Sequence, residues 1–148
     1  VTHPAFRSPP PLRRILAGFA ACAGVTLAGC GTKGPELHPV KGTVLVNKKA
    51  AANATVVLHP VNPTTPDAPK PRGKVNADGS FTLTTNTEGD GAPAGDYRVT
   101  VEQWLAGARP DDPPANRLPA KFANPTTSGL TATIAAGTTE LQAIEITR

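Results

Sequence analysis

Seventeen prolines and fourteen glycines are spread along 148 residues, and beyond residue 30 they cut the chain into short β-branched runs. Each proline would break a helix interior, by a missing hydrogen bond and a ring clash. No segment between the breaks carries a convincing helical period, so the runs read as strands bounded by turn signals. Val40 to Val46 is the first, with Asn47-Lys48-Lys49 as a turn after it. Ala54 to His59 is the second, stopped by Pro60. Residues 61 to 71 hold Pro63, Pro66, Pro69 and Pro71, and proline offers no ladder donor, so this segment is a loop. Gly73 to Val75 resumes a short strand before Asn76-Ala77-Asp78-Gly79, whose Asp-Gly pair suits a tight hairpin leading into Ser80 to Thr84. Gly89 to Gly95 is a second turn region. Tyr97, Val99 and Val101 then alternate with Arg98, Thr100 and Glu102, the pattern of a half-buried antiparallel strand. Residues 107 to 119 turn irregular around Pro110, Pro113, Pro114 and Pro119, the least ordered part by composition. Leu130 to Ile134 and Leu141 to Ile146 are the last two strands.

About seven short strands with some long connections predict an all-β chain, a Greek-key β-sandwich rather than a barrel or meander. The expected core is Val44, Val46, Val56, Leu58, Phe81, Leu83, Tyr97, Val99, Val101, Leu130, Ile134, Ile144 and Ile146. At about 25 cal/mol per Å² of apolar burial, a core of this size supports a single marginally stable domain.

The first thirty residues follow a different rule. Arg7, Arg13 and Arg14 precede an apolar stretch from about Ile15, which closes on Leu27-Ala28-Gly29-Cys30. Basic start, apolar middle and small residues before a cleavage point are the parts of an export signal. The stretch from Ile15 to Leu27 is shorter than the ~20 residues a membrane span needs. The last four residues resemble the lipobox of bacterial lipoproteins at every position. The resemblance implies cleavage before Cys30, a diacylglyceryl thioether on its sulfur and acylation of the new amino group, an anchor far stronger than a single myristoyl chain. The expected organisation is a signal peptide over 1–29, a lipidated cysteine and tether over 30–38, and one β-sandwich over 39–148.

Removing residues 1–29 leaves 119, a common size for one domain. The whole chain carries a net charge of +4, but three of its fifteen basic residues lie in the signal, leaving twelve against eleven acidic ones. No basic run interleaved with aromatics suggests a nucleic-acid surface. Of the two cysteines, Cys22 leaves with the signal and Cys30 is consumed by lipid, so no disulfide is available and the fold must rely on its core.

Four segments in order carry a second resemblance: Val40-Lys41-Gly42-Thr43-Val44, Ala54-Thr55-Val56-Val57-Leu58, Asn76-Ala77-Asp78-Gly79-Ser80-Phe81-Thr82-Leu83 and Gly95-Asp96-Tyr97-Arg98-Val99-Thr100-Val101. Together they resemble the carboxypeptidase regulatory-like domain, of the transthyretin-like (prealbumin-type) β-sandwiches. Leu118-Pro119-Ala120-Lys121-Phe122 leading to Thr127-Ser128-Gly129-Leu130 is similar to the C-terminal part of small exported bacterial lipoproteins carrying that domain, with Phe122 where Tyr is usual. The resemblance implies a folding, binding or accessory module. The transthyretin-like hydrolases of purine breakdown share only the fold, and their C-terminal Tyr-Arg-Gly-Ser does not match Glu145-Ile146-Thr147-Arg148.

Candidate chemistry in the residues is sparse. His38 in the tether and His59 at a strand end have no Cys or carboxylate at ligand spacing, so neither a metal nor a cofactor is expected. Ser80 and Ser128 lack a histidine at suggestive spacing, and no Gly-x-Ser-x-Gly is present. Asp78, Asp90 and Asp96 lie near turns, where Asp caps its own backbone, and lack a calcium-loop spacing. Tyr97 is in phase with the core, its hydroxyl expected to bond across the sandwich as in a tyrosine corner. Trp104 falls out of that phase at a strand end, and an exposed aromatic there is a candidate sugar platform. These readings predict a membrane-anchored lipoprotein of the cell envelope, on the periplasmic or outer-membrane face. Its predicted role is a non-enzymatic structural or protein-interaction module, with a carbohydrate-binding module using Trp104 to hold cell-wall or imported polysaccharide as the alternative.

Overall fold

The structure, a computed structural model, describes residues 34–109 and 111–147. The expected signal peptide, the lipobox and Cys30 lie outside the described residues. The strands in chain order are β1 (Leu37–His38), β2 (Val40–Val46), β3 (Lys49–Ala50), β4 (Thr55–Pro60), β5 (Arg72–Lys74), β6 (Ser80–Thr82), β7 (Ala92–Pro93), β8 (Gly95–Glu102), β9 (Trp104–Leu105), β10 (Ala115–Asn116), β11 (Leu130–Ile134), β12 (Thr139–Glu140) and β13 (Ile144–Ile146). Among the described residues the one helical element is a short 3-10 turn over Ala120–Ala123. Each of the seven expected runs contains a strand, and six two-residue strands join them.

The strands form two main sheets. In one, β2 is central, with β12 and β13 parallel on one side and β6 and β3 antiparallel on the other. In the other the order is β11-β8-β4-β5, antiparallel throughout. Alternation along β2 buries Val40, Val44 and Val46 and leaves Lys41 exposed, and β4, β8 and β13 repeat the pattern with Val56 and Leu58, with Tyr97, Val99 and Val101, and with Ile144 and Ile146. These inward residues form one hydrophobic core, so the chain is all-β with an arrangement consistent with a β-sandwich.

Phe81 occupies the centre of that core because glycines make room for it. A Cβ on Gly42 of β2 would lie 2.6 Å from the ring, and one on Gly73 of β5 2.9 Å from it. The ring therefore rests against a glycine in each sheet and joins the two.

Several expectations are corrected. Pro60 ends inside β4 rather than stopping it short, paired with Tyr97. Val61 N–H bonds Asp96 and Leu58 N–H bonds Pro71, so even-numbered residues of β4 face β5 and odd-numbered ones face β8. The missing donor of Pro60 thus points past the end of β5, where no ladder bond is lost. The Asp78-Gly79 turn does close the expected hairpin, with Asn76 N–H bonding Ser80, Gly79 N–H bonding Asn76 and Arg72 exchanging bonds with Thr84, but its arms β5 and β6 belong to different sheets and only Gly79 takes positive φ there. The segment 107–119 is not wholly irregular: Ala115 and Asn116 pair with Leu105 and Trp104, and Leu118 is buried. Leu130 is only half-buried, whereas Val40, Ala51, Ala54, Val75, Ala92, Leu118 and Phe122 join the core. The final strand begins at Ile144 rather than Leu141. His38, placed in the tether by sequence, is buried in β1, and its Nδ1 accepts from Gly137 N–H at 3.1 Å.

Candidate functional site

Strand direction gives the domain two poles. Leu37–His38 pair with Ala92–Pro93, so the chain enters beside the start of β8. A groove of about 330 Å³ opens at this pole, lined by Pro35, Pro60, Pro63, Pro93, Asp96 and Tyr97 among others. Its wall is rigid because the prolines have fixed φ angles. Tyr97 is buried, and its hydroxyl donates to Pro93 C=O at 2.8 Å. The partner lies four residues upstream on the same chain segment, as in a tyrosine corner, and not across the sandwich as expected. Burial pushes the Tyr97 phenol above its ordinary pKa, which keeps it a neutral donor.

Trp104 lies at the other end of the same strand direction, seven residues beyond Tyr97, or roughly 23 Å at ~3.3 Å per residue. Its relative exposure is 57%, and its Nε1 donates to the Glu102 carboxylate. The backbone beneath is fixed by β9–β10 pairing and by Gln103, whose N–H bonds Asn116 Oδ1 and whose Nε2 donates to Ala52 C=O. The pole therefore presents an oriented indole beside a carboxylate, with no second aromatic among the residues paired with it.

The remaining candidates are not brought together. His59 Nε2 lies 3.0 Å from Thr100 Oγ1, and burial, helped by the positive charge of Lys70, lowers its pKa. His38 bonds a backbone amide instead, the N–H of Gly137. Among the described residues no cluster of His, Cys, Asp or Glu could hold a metal ion. Ser80 Oγ donates to Asp78, and buried Ser128 accepts from Leu130 N–H, so neither hydroxyl has a histidine base.

Asp78 and Asp90 clasp turns, and Asp96 bonds across the β8–β11 pair. Asp78 Oδ1 accepts from Ser80 N–H and Oγ, and Asp96 Oδ1 accepts from Thr133 Oγ1. Asp90 gathers a whole loop: Oδ1 accepts from Thr85 N–H at 2.6 Å, and Oδ2 from Asn86 and Thr87 N–H at 2.8 Å each. Desolvation raises its carboxyl, but the three amide donors together outweigh it and hold the pKa below the usual carboxylate range. The unfolded chain then binds the proton more readily, so this clasp contributes stability above the unfolded pKa of about 3.9 and loses it as pH falls through the lower folded value. Urea midpoints measured from about pH 5 downward should fall more steeply in wild type than in Asp90→Asn. Equal slopes would show that the clasp adds nothing.

No family model matches the chain, and no curated protein matches it. Among solved structures, a 9R-lipoxygenase from Cyanothece PCC8801 matches at TM-score 0.43 and 15% identity, over 75% of this chain and 16% of the lipoxygenase. The chain thus spans about a sixth of that enzyme's length. The expectation of a non-enzymatic chain is corrected on this finding: the matching structure is an enzyme, so inactivity is not a property to assert of this chain. A likeness at this TM-score carries no argument for lipoxygenase chemistry either.

Proposed function

We propose that the chain is a lipid-anchored module of the cell envelope: a Greek-key, transthyretin-like β-sandwich held by acyl chains on Cys30 after removal of residues 1–29, serving a structural or protein-interaction role. The observation that carries this reading is polarity. The described chain enters at the pole of Pro35 and Tyr97, while Trp104 and the β9–β10 ribbon occupy the far pole. Cys30 precedes Gly34 by four residues, a reach of at most about 14 Å, so a lipid there would hold the domain by its proline-rich pole and leave the far pole free. The parallel return of β13 beside β2 and the shared core support the transthyretin-like topology. Detergent phase partitioning of cell lysates tests the anchor. Wild-type protein should enter the detergent phase and Cys30→Ser should stay with the uncleaved precursor. A Cys30→Ser protein processed and partitioned like wild type would sink the proposal.

The exposure of Trp104 favours a second reading at the same free pole, a carbohydrate platform in which the indole stacks on a sugar face and Glu102 accepts its hydroxyls. Tryptophan fluorescence reads this directly, because Trp104 is the single tryptophan. A saturable shift with cell-wall polysaccharide supports the platform, and a flat response across a glycan panel removes it.

A further inference from the structure

Among the described residues β11 is the outer strand of its sheet, paired with β8 on one side only. Hydrogen bonds elsewhere determine which of its backbone groups face outward. Asp96 C=O accepts from Val61 on the β4 side, and Gln103 C=O accepts from Arg117 on the opposite side, so even-numbered residues of β8 bond toward β4 and odd-numbered ones toward β11. Leu130, Ala132 and Ile134, opposite Val99, Tyr97 and Gly95, therefore direct their groups at β8. Thr131 and Thr133 direct N–H and C=O outward, and among the described residues these groups have no hydrogen-bond partner.

The other edges are protected. Arg72 of β5 exchanges both backbone bonds with Thr84, and that edge carries Arg72 and Lys74. β12 and β13 carry Glu140 and Glu145. β11 reads Leu-Thr-Ala-Thr-Ile, with no charge, proline or bulge of the kind that blunts natural edges.

We propose that β11 pairs antiparallel with β11 of a second copy of this chain, about a two-fold axis at Ala132. Thr131 then faces the second copy's Thr133, and the reverse. These are the residues whose groups point outward, and an antiparallel pair of this kind exchanges both bonds, so every unpaired group on both strands is satisfied. Ala132 meets its own copy at the close, non-hydrogen-bonded position, about 4.5 Å between Cα atoms, where a small side chain fits. A gap of about 350 Å³ beside this edge, lined in part by Ala132, Leu141 and Ile144, leaves room for the incoming strand. Charge agrees with the same order. Arg98 lies opposite Thr131 and Asp96 opposite Thr133, so each row across the joint runs from Arg98 of one copy to Asp96 of the other. A one-residue slip would set Thr against Ala and leave outward groups unpaired.

Sedimentation of the purified full chain in nonionic detergent, over a concentration series, tests this pairing. The expected result is a dimer for wild type and for Thr133→Val, which keeps the backbone donor. Thr133→Pro deletes one outward N–H while leaving the β8 ladder whole, and should sediment as a monomer with unchanged circular dichroism. Should Thr133→Pro fail to fold, the pair Thr131→Lys with Thr133→Lys decides. Opposed lysines should weaken association by about tenfold or more, and salt should restore part of it. A wild-type monomer at every concentration overturns the proposal, as does a dimer indifferent to these variants. A chain that stays monomeric while capturing an extended peptide of another protein overturns it as well.

Discussion

Gly91→Ala should cost at least about 3 kcal/mol and disorder the pole where the chain enters the fold. Gly91 has φ of +88°, and a Cβ there would lie 1.8 Å from the His38 carbonyl oxygen and 2.4 Å from its carbon. The neighbour is backbone, so no rotamer change relieves the contact. Left-handed strain of about 1–2 kcal/mol adds to the cost of forcing two chain segments apart. Gly91 N–H also bonds Leu83, and its C=O accepts from Thr85 Oγ1, so displacement would loosen the Asp90 loop and the β1–β7 pair together. Chemical denaturation of the variant beside wild type reads the loss. A variant within about 1 kcal/mol of wild type would mean that His38 and Gly91 are not packed as described.

Phe81→Ala is expected to be as damaging, about 3–5 kcal/mol, by lost transfer energy and a cavity that two glycines cannot fill. The ring is 1% exposed and touches Gly42 and Gly73, which have no side chains to collapse inward. Because it joins the two sheets, its removal should lower cooperativity as well as the midpoint. A second substitution distinguishes seat from bulk: Gly42→Ala meets the Phe81 ring at 2.6 Å and should destabilise by overpacking of about 1–3 kcal/mol. Placed together, Gly42→Ala and Phe81→Ala should cost less than their sum, since one fills part of what the other empties.

Period-two alternation made the long strands legible. β2 and β11 occupy the residues their patterns predict, and β8 begins within two residues of its pattern. The two-residue strands were not legible, because two residues have no period. Their pairing depends on contacts across the chain, as at Leu37 with Pro93 and Thr139 with Val40. Composition misled at Leu118, where prolines marked an irregular segment over 107–119 but the side chain turns into the core. The exposure of Trp104 followed from its phase. The partner of the Tyr97 hydroxyl did not, since it depends on how Pro93 folds back over the ring. The outward groups of Thr131 and Thr133 depend on register, which no property of the residues alone determines.

The central claim is that a lipid on Cys30 holds this sandwich in the envelope, and mass spectrometry of the N-terminal peptide from the native protein tests it most directly. The account predicts a peptide that begins at Cys30 and carries diacylglyceryl and amide-linked acyl chains. A peptide still joined to residues before Cys30, or an unmodified thiol at that position, would contradict it.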